Sequence, residues 1–110
     1  MSLTTIEMNN CIVLAMSNRL DGAHTKDLET KVEELIGKGA HRILFDFEEL
    51  DYINSAGLRI LVMAYQQLHP NGGKVAVCSA RDYIQEVFEI SGYDRLFGMY
   101  TSREAALKDF

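Results

Sequence analysis

Apolar positions along this chain change their period repeatedly, and each change marks an element. Ile6 to Met8 reads as a weak first strand, and Asn9-Asn10 is a turn signal because Asn tolerates positive φ. Cys11 to Met16 is a short continuous apolar run, the pattern of a buried strand. Together they predict an antiparallel hairpin. Ser17 to Gly22 is polar and predicts a loop. Beyond it Leu28, Val32, Leu35 and Ile36 share one face of a helix, with Asp27, Lys31 and Glu34 opposite and Gly37 and Gly39 flanking the C-terminus. Arg42 to Phe47 predicts the next strand, and Glu48 to Ile53 a link. A second helix is expected from Ser55 to Leu68, where Leu58, Leu61, Val62, Tyr65 and Leu68 recur at helical spacing before Pro70-Asn71-Gly72-Gly73 stops it.

Lys74 to Cys78 predicts a further strand. Ser79 with Asp82 three residues on predicts a capped third helix that buries Ile84, Val87 and Phe88 and ends at Gly92. Phe97 to Tyr100 is a short last strand, and Thr101-Ser102-Arg103-Glu104 is a capping box opening a final helix through Ala105, Ala106 and Leu107. The order is β-β-α-β-α-β-α-β-α. Strands joined through helices must be parallel, with right-handed crossovers. The expectation is therefore a single α/β domain over residues 1–110, a mixed and mostly parallel sheet with an N-terminal antiparallel hairpin and about four helices.

Composition narrows the function. The 110 residues carry a formal net charge of −5, and no two basic residues are adjacent. That balance disfavours direct nucleic-acid binding, which needs clustered Lys and Arg. No segment approaches the ~20 apolar residues of a membrane span, so membrane insertion is not expected. Cys11 and Cys78 lie inside apolar runs without metal-ligand spacing. This fits a reducing compartment, and with no secretory signal pattern the reading is cytoplasmic.

The inventory for catalysis is thin. His24, His41 and His69 are dispersed near element ends, and Ser55 lacks the nucleophile-elbow pattern because Ile53 stands two residues before it. Gly72-Gly73-Lys74 precedes a strand and lacks the spacing of a phosphate-binding loop. Asp46, near the end of a central strand, invites comparison with receiver phosphoacceptors, but no acidic pair ends the second strand to hold Mg²⁺. It reads as a brace for the segment that follows. The protein is thus expected to be a binding module, not an enzyme, and to need no cofactor or metal.

The informative stretch is Leu50-Asp51-Tyr52-Ile53-Asn54-Ser55-Ala56-Gly57-Leu58. Asn54 and Ser55 suit a helix N-cap. A phosphoryl group there is also physically tolerable, because the first turn of a helix offers free N–H groups and a positive dipole end. Small Ala56 and Gly57 would let a partner approach closely.

At this stretch the chain resembles the STAS domain family, and within it the free-standing bacterial anti-sigma factor antagonists, with the STAS-like (SpoIIaa-like) fold. The resemblance covers almost the whole chain. It rests on the element order, on the early loop Leu20-Asp21-Gly22-Ala23-His24-Thr25, and on Ile43-Leu44-Phe45-Asp46-Phe47 followed by Asn54-Ser55-Ala56-Gly57-Leu58. It implies binding to an anti-sigma factor that is also a serine kinase, release of a sigma factor, and loss of binding on phosphorylation of Ser55. A metal-dependent serine phosphatase would reverse the modification. Asp21, Gly22, His24 and Thr25, with Asn54, Ser55, Ala56 and Gly57, are the implied partner-binding residues, and self-association is open. Many members carry Asp just before the serine. Asn54 keeps the capping oxygen and loses the charge. Two other readings differ in class: a permanent, non-catalytic STAS-like subunit of a membrane transport system, and a small receiver- or flavodoxin-type enzyme.

Overall fold

In the computed structural model, which describes residues 2–110, the expected hairpin forms from β1 (Leu3–Met8) and β2 (Cys11–Leu20). Asn9 and Asn10 take φ of 51° and 62°, as a two-residue primed turn requires. There follow α1 (Ala23–Gly37), β3 (Arg42–Ile53), α2 (Ser55–Leu68), β4 (Lys74–Cys78), α3 (Asp82–Ser91), β5 (Gly98–Tyr100) and α4 (Arg103–Asp109), with single 3-10 turns at His69–Asn71 and Tyr93–Arg95. One sheet results, in the spatial order β1-β2-β3-β4-β5. It is antiparallel between β1 and β2 and parallel elsewhere, the α/β architecture that the hydrophobic pattern predicts.

Strand alternation divides the side chains between two faces. Leu14, Phe45 and Val77 point to the side where Leu28 and Val32 of α1, Leu61 of α2 and Phe88 of α3 complete the main core. Each such fully buried side chain contributes about 1.5–3 kcal/mol. Val13, Leu44 and Ala76 point the other way and are covered by α4 through Ala106 and Leu107. Both cysteines lie on this second side, buried and unpaired. Burial pushes the Cys11 thiol up to about 11; burial, with the Asp46 carboxylate beside it, pushes Cys78 up to about 12. Neither is a reactive thiolate at neutral pH.

Several local expectations are corrected. β2 and β3 run on to Leu20 and Ile53, where the sequence pattern predicts a loop and a link. The reason is two register shifts. Ala15 pairs with Asp46 but Ser17 with Glu49, and Asn18 pairs with Leu50 but Arg19 with Tyr52. Each shift sets an extra β3 residue against β2, a bulge. The buried positions then fall at Phe47, Leu50 and Ile53, three apart instead of two. Ser79 does not cap α3. It takes a φ of 61°, and Arg81 occupies the N-cap position without a side-chain cap. The cap of α4 is Ser102, one residue later than the motif suggests, with Oγ accepting from the Ala105 N–H at 3.1 Å. Val87 is exposed, because Ile84 and Phe88 already fill the inward face of α3.

Asp46 is the one buried charged side chain among the described residues, 3% exposed. Its Oδ1 accepts the Glu48 N–H at 3.0 Å, bracing the first bulge. Its Oδ2 accepts from Arg103 of α4, Nε at 3.0 Å and Nη2 at 2.8 Å. One carboxylate therefore fixes the course of β3 and fastens the helix on the far face. Arg103→Met keeps the aliphatic stem but strands the charge. Its expected cost is about 2–3 kcal/mol, below the usual range for a buried pair because Arg103 is 34% exposed. Urea unfolding should show that loss, and adding Asp46→Asn should recover much of it.

Candidate functional site

The parallel register of β2 and β3 ends with Arg19 beside Tyr52 and Leu20 beside Ile53. The Asn54 N–H closes the ladder by donating to the Leu20 carbonyl at 3.2 Å. The chain leaves these adjacent strand ends into α1 and α2. The helix starts are thereby brought side by side at the carboxyl edge of the sheet, the usual place for binding sites in α/β folds. All eight residues singled out in the two motifs belong to these two starts: Asp21, Gly22, His24 and Thr25 at α1, and Asn54, Ser55, Ala56 and Gly57 at α2.

Asn54 is the N-cap of α2, and its Oδ1 accepts the Gly57 N–H at 2.9 Å. Ser55 is the first helical residue, and its side chain is exposed. The first turn holds no acidic residue. Gly57 is buried beneath it. A Cβ there would lie 2.9 Å from Ile53 Cγ1 and 2.9 Å from Leu20 Cδ2, so the strand ends hold α2 close only because the side chain is missing. Glycine is needed at Gly22 for a different reason. Its φ of 52° with ψ of −129° is a conformation that residues bearing a Cβ avoid. Gly22 caps α1 with its carbonyl, which accepts the Thr25 hydroxyl at 2.7 Å and the Thr25 N–H at 3.2 Å.

Asp21 pairs with Arg19 at 3.1 Å. The Arg19 guanidinium in turn stacks over the Tyr52 ring at 4.1 Å from its centroid. His24 is half-buried, and its Nδ1 is enclosed without a hydrogen-bond partner within the protein. On the far side of β3, Asp51 receives Arg81 and its carbonyl receives the Tyr83 hydroxyl, so the extended end of β3 is held by α3. Two grooves flank α2. One, of about 400 Å³, lies toward α1 between Thr25, Lys26 and Glu29 and Ala56, Arg59, Ile60 and Met63. The other, of about 290 Å³, lies toward α3 and is lined by Ser55, Leu58, Arg59, Val62, Ser91 and Tyr93.

Sequence reasoning missed Arg19, Tyr52 and Arg59. The first two meet only through the β2–β3 register, which no local pattern reveals. Arg59 was legible, four residues after Ser55 on the same helix. Among the described residues no group of three His, Cys, Asp or Glu side chains converges to hold a metal, and no helix is long and apolar enough to cross a membrane. What the site offers is an exposed hydroxyl on a rigid, capped helix start, with a groove on each side.

The comparisons with known proteins agree with this geometry. Residues 2–106 match the family model described as the STAS domain. A candidate anti-sigma factor antagonist of Bordetella bronchiseptica, BtrV, is 34% identical over 110 residues, covering 100% of this chain and 95% of the relative. An anti-sigma F factor antagonist of Paenibacillus polymyxa is 24% identical over 100 residues, 89% of this chain and 85% of that one. Among solved structures, a candidate anti-sigma factor antagonist of Thermotoga maritima superposes with a TM-score of 0.92 at 18% identity, covering 97% of this chain and 92% of that one. The Bacillus cell fate determinant SpoIIAA in its phosphorylated form superposes at 0.79 and 20% identity over 98% of each chain. At such identities the structural matches establish the fold.

Substitutions at two positions test the seat of Ser55. Asn54→Ala should lower stability by about 1 kcal/mol through the lost cap, while Asn54→Asp should stay within about 0.5 kcal/mol of the parent. Gly57→Ala should cost about 1–2 kcal/mol although alanine is the better helix former, because Leu20 and Ile53 must give way. Urea midpoints measure both.

Proposed function

The chain belongs to the STAS domain family, and from that premise we propose that it is an anti-sigma factor antagonist switched by phosphorylation of Ser55. In its unmodified form it binds an anti-sigma factor that is also a serine kinase, and the sigma factor is released. The partner rests on the joined starts of α1 and α2: Asp21, Gly22, His24 and Thr25 on one, Asn54, Ser55, Ala56 and Gly57 on the other. The observation that carries this reading is the placement of Ser55. It is the exposed first residue of α2, lining the groove toward α3, on a turn already capped by a neighbouring side chain.

In the modification the Ser55 oxygen attacks the terminal phosphorus of ATP. The bond to ADP breaks, and the hydroxyl proton passes to a base on the kinase. The product carries about −1.5 to −2 charges at the centre of the contact surface. A desolvated like charge there costs several kcal/mol against an apolar or acidic partner. The helix start accommodates the group without unfolding, so binding is lost while the fold persists. A metal-dependent serine phosphatase returns the hydroxyl. In this reading the domain itself performs no chemistry, needs no cofactor and acts in the cytoplasm as a binding module.

The test uses the purified protein with the serine-kinase anti-sigma factor of its host and ATP. Intact-mass analysis should show one phosphoryl addition on the parent and none on Ser55→Ala. Binding of the kinase to the phosphorylated form should be weaker by roughly a hundredfold or more, the equivalent of about 2.7 kcal/mol. Equal modification of parent and variant overturns the reading. Binding of a transport ATPase subunit irrespective of Ser55 would replace it with a permanent-subunit role.

A further inference from the structure

We propose that Arg59 receives the phosphoryl group of Ser55, clamping it along α2 and over the groove toward α3. This rests on the reading of Ser55 as a phosphoacceptor and adds the residue that fixes what the modified state looks like. Ser55 and Arg59 stand four apart on one helix, the spacing at which side chains face each other. Helical side chains lean toward the N-terminus, so the guanidinium of Arg59 tracks back over the turn that Ser55 opens. Both residues line the same cavity of about 290 Å³, beside Leu58, Val62 and Tyr93.

Arg59 is also uncommitted. Arg19 pairs with Asp21, Arg81 with Asp51 and Arg103 with Asp46, and Arg42 donates to the Phe110 carbonyl. Among the described residues Arg59 is exposed and makes no salt bridge or side-chain hydrogen bond. Arg95, likewise uncommitted, lines a cleft with Lys74 and Gly98 at the opposite end of β4 and β5. Among the arginines of the described residues, Arg59 is the one on the helix that Ser55 opens and in the groove that Ser55 lines.

The backbone supplies part of the compensation. Asn54 Oδ1 has taken the Gly57 N–H, and the Leu58 N–H goes to the Asn54 carbonyl. In the first turn, then, the Ser55 and Ala56 N–H groups stay available to a phosphate. A dianion seated there needs a cation, and the planar guanidinium can take two of its oxygens at once. Held in this way, the phosphate lies across a groove lined by Leu58, Val62 and Tyr93 and covers it. Modification would then replace an apolar contact surface with an anionic one as well as placing a charge at its edge.

The test places phosphoserine at position 55 by genetic encoding, so that no kinase or partner enters, and follows the phosphorus resonance against pH. A paired cation favours the dianion and lowers its second pKa from the free value of about 6. Arg59→Gln should raise that pKa by about half a pH unit relative to the parent, and Arg59→Lys should fall between. The helix start contributes equally in all three, so the difference isolates Arg59. Melting of the unphosphorylated variants checks that the fold is intact. Superimposable titrations of the parent and Arg59→Gln would overturn the clamp, whether or not phosphorylation blocks partner binding. If Arg59→Gln shifts the titration while the phosphoprotein still binds the kinase fully, the clamp stands and the switch reading fails.

Discussion

The structure turns on a single buried carboxylate. Asp46 is placed where β3 departs from regular alternation, and its two oxygens face different parts of the molecule: one takes the Glu48 N–H, the other the Arg103 guanidinium. A charge buried to this degree is tolerable only when both oxygens are satisfied. The condition couples two features that are otherwise unrelated. The bulge lets β3 continue as a strand through Glu48–Ile53, and α4 is pinned to the sheet face opposite the other helices. Without that bulge the apolar residues of β3 would keep a spacing of two, and Phe47 and Leu50 could not both reach the main core.

From that course of β3 the candidate site follows geometrically. The strand arrives at Ile53 beside Leu20, so α1 and α2 leave from adjacent points, and Gly57 lets α2 settle onto both side chains without a Cβ between them. Arg81 and Tyr83 from α3 hold the same strand end through Asp51. Ser55 is thus an exposed residue on an over-determined base. The core thus holds still the place where the proposed modification would change the surface.

Much of this was legible in the sequence. Periodicity gave the element order, the hairpin turn at Asn9-Asn10 and the helix over Ser55–Leu68, because these rest on local preferences that the tertiary structure reinforces. The cap at Asn54 was legible for the same reason: an Asn side chain three residues before a glycine N–H makes its bond within one turn. The ends of β2 and β3 were not, since bulges break the period of two on which strand recognition depends, and a bulge is decided by the partner strand. Ser79 and Thr101 were misread because a capping residue is identified by its φ and ψ, which composition only biases. Arg103 on Asp46 and Arg19 over Tyr52 join residues far apart in the chain; nothing short of the register and packing of the sheet brings them together.

Electrostatic range explains why a charge-based switch would be built at this one point. The chain already carries −5, and a phosphoryl group takes it only to about −7, a small change in overall field. At physiological ionic strength exposed charges more than about 8 Å apart are largely screened. A phosphate on a distant loop would therefore scarcely reach a partner. On Ser55 it would lie within the proposed contact surface itself, where an approaching partner would remove water and lower the local dielectric. The neutral Asn54 fits the same logic. It caps α2 as an aspartate would, yet puts no fixed charge beside the serine. In the proposed switch the charge contrast between the two states would be set by the modification and by the uncommitted Arg59, with no standing carboxylate in the first turn of the helix to blur it.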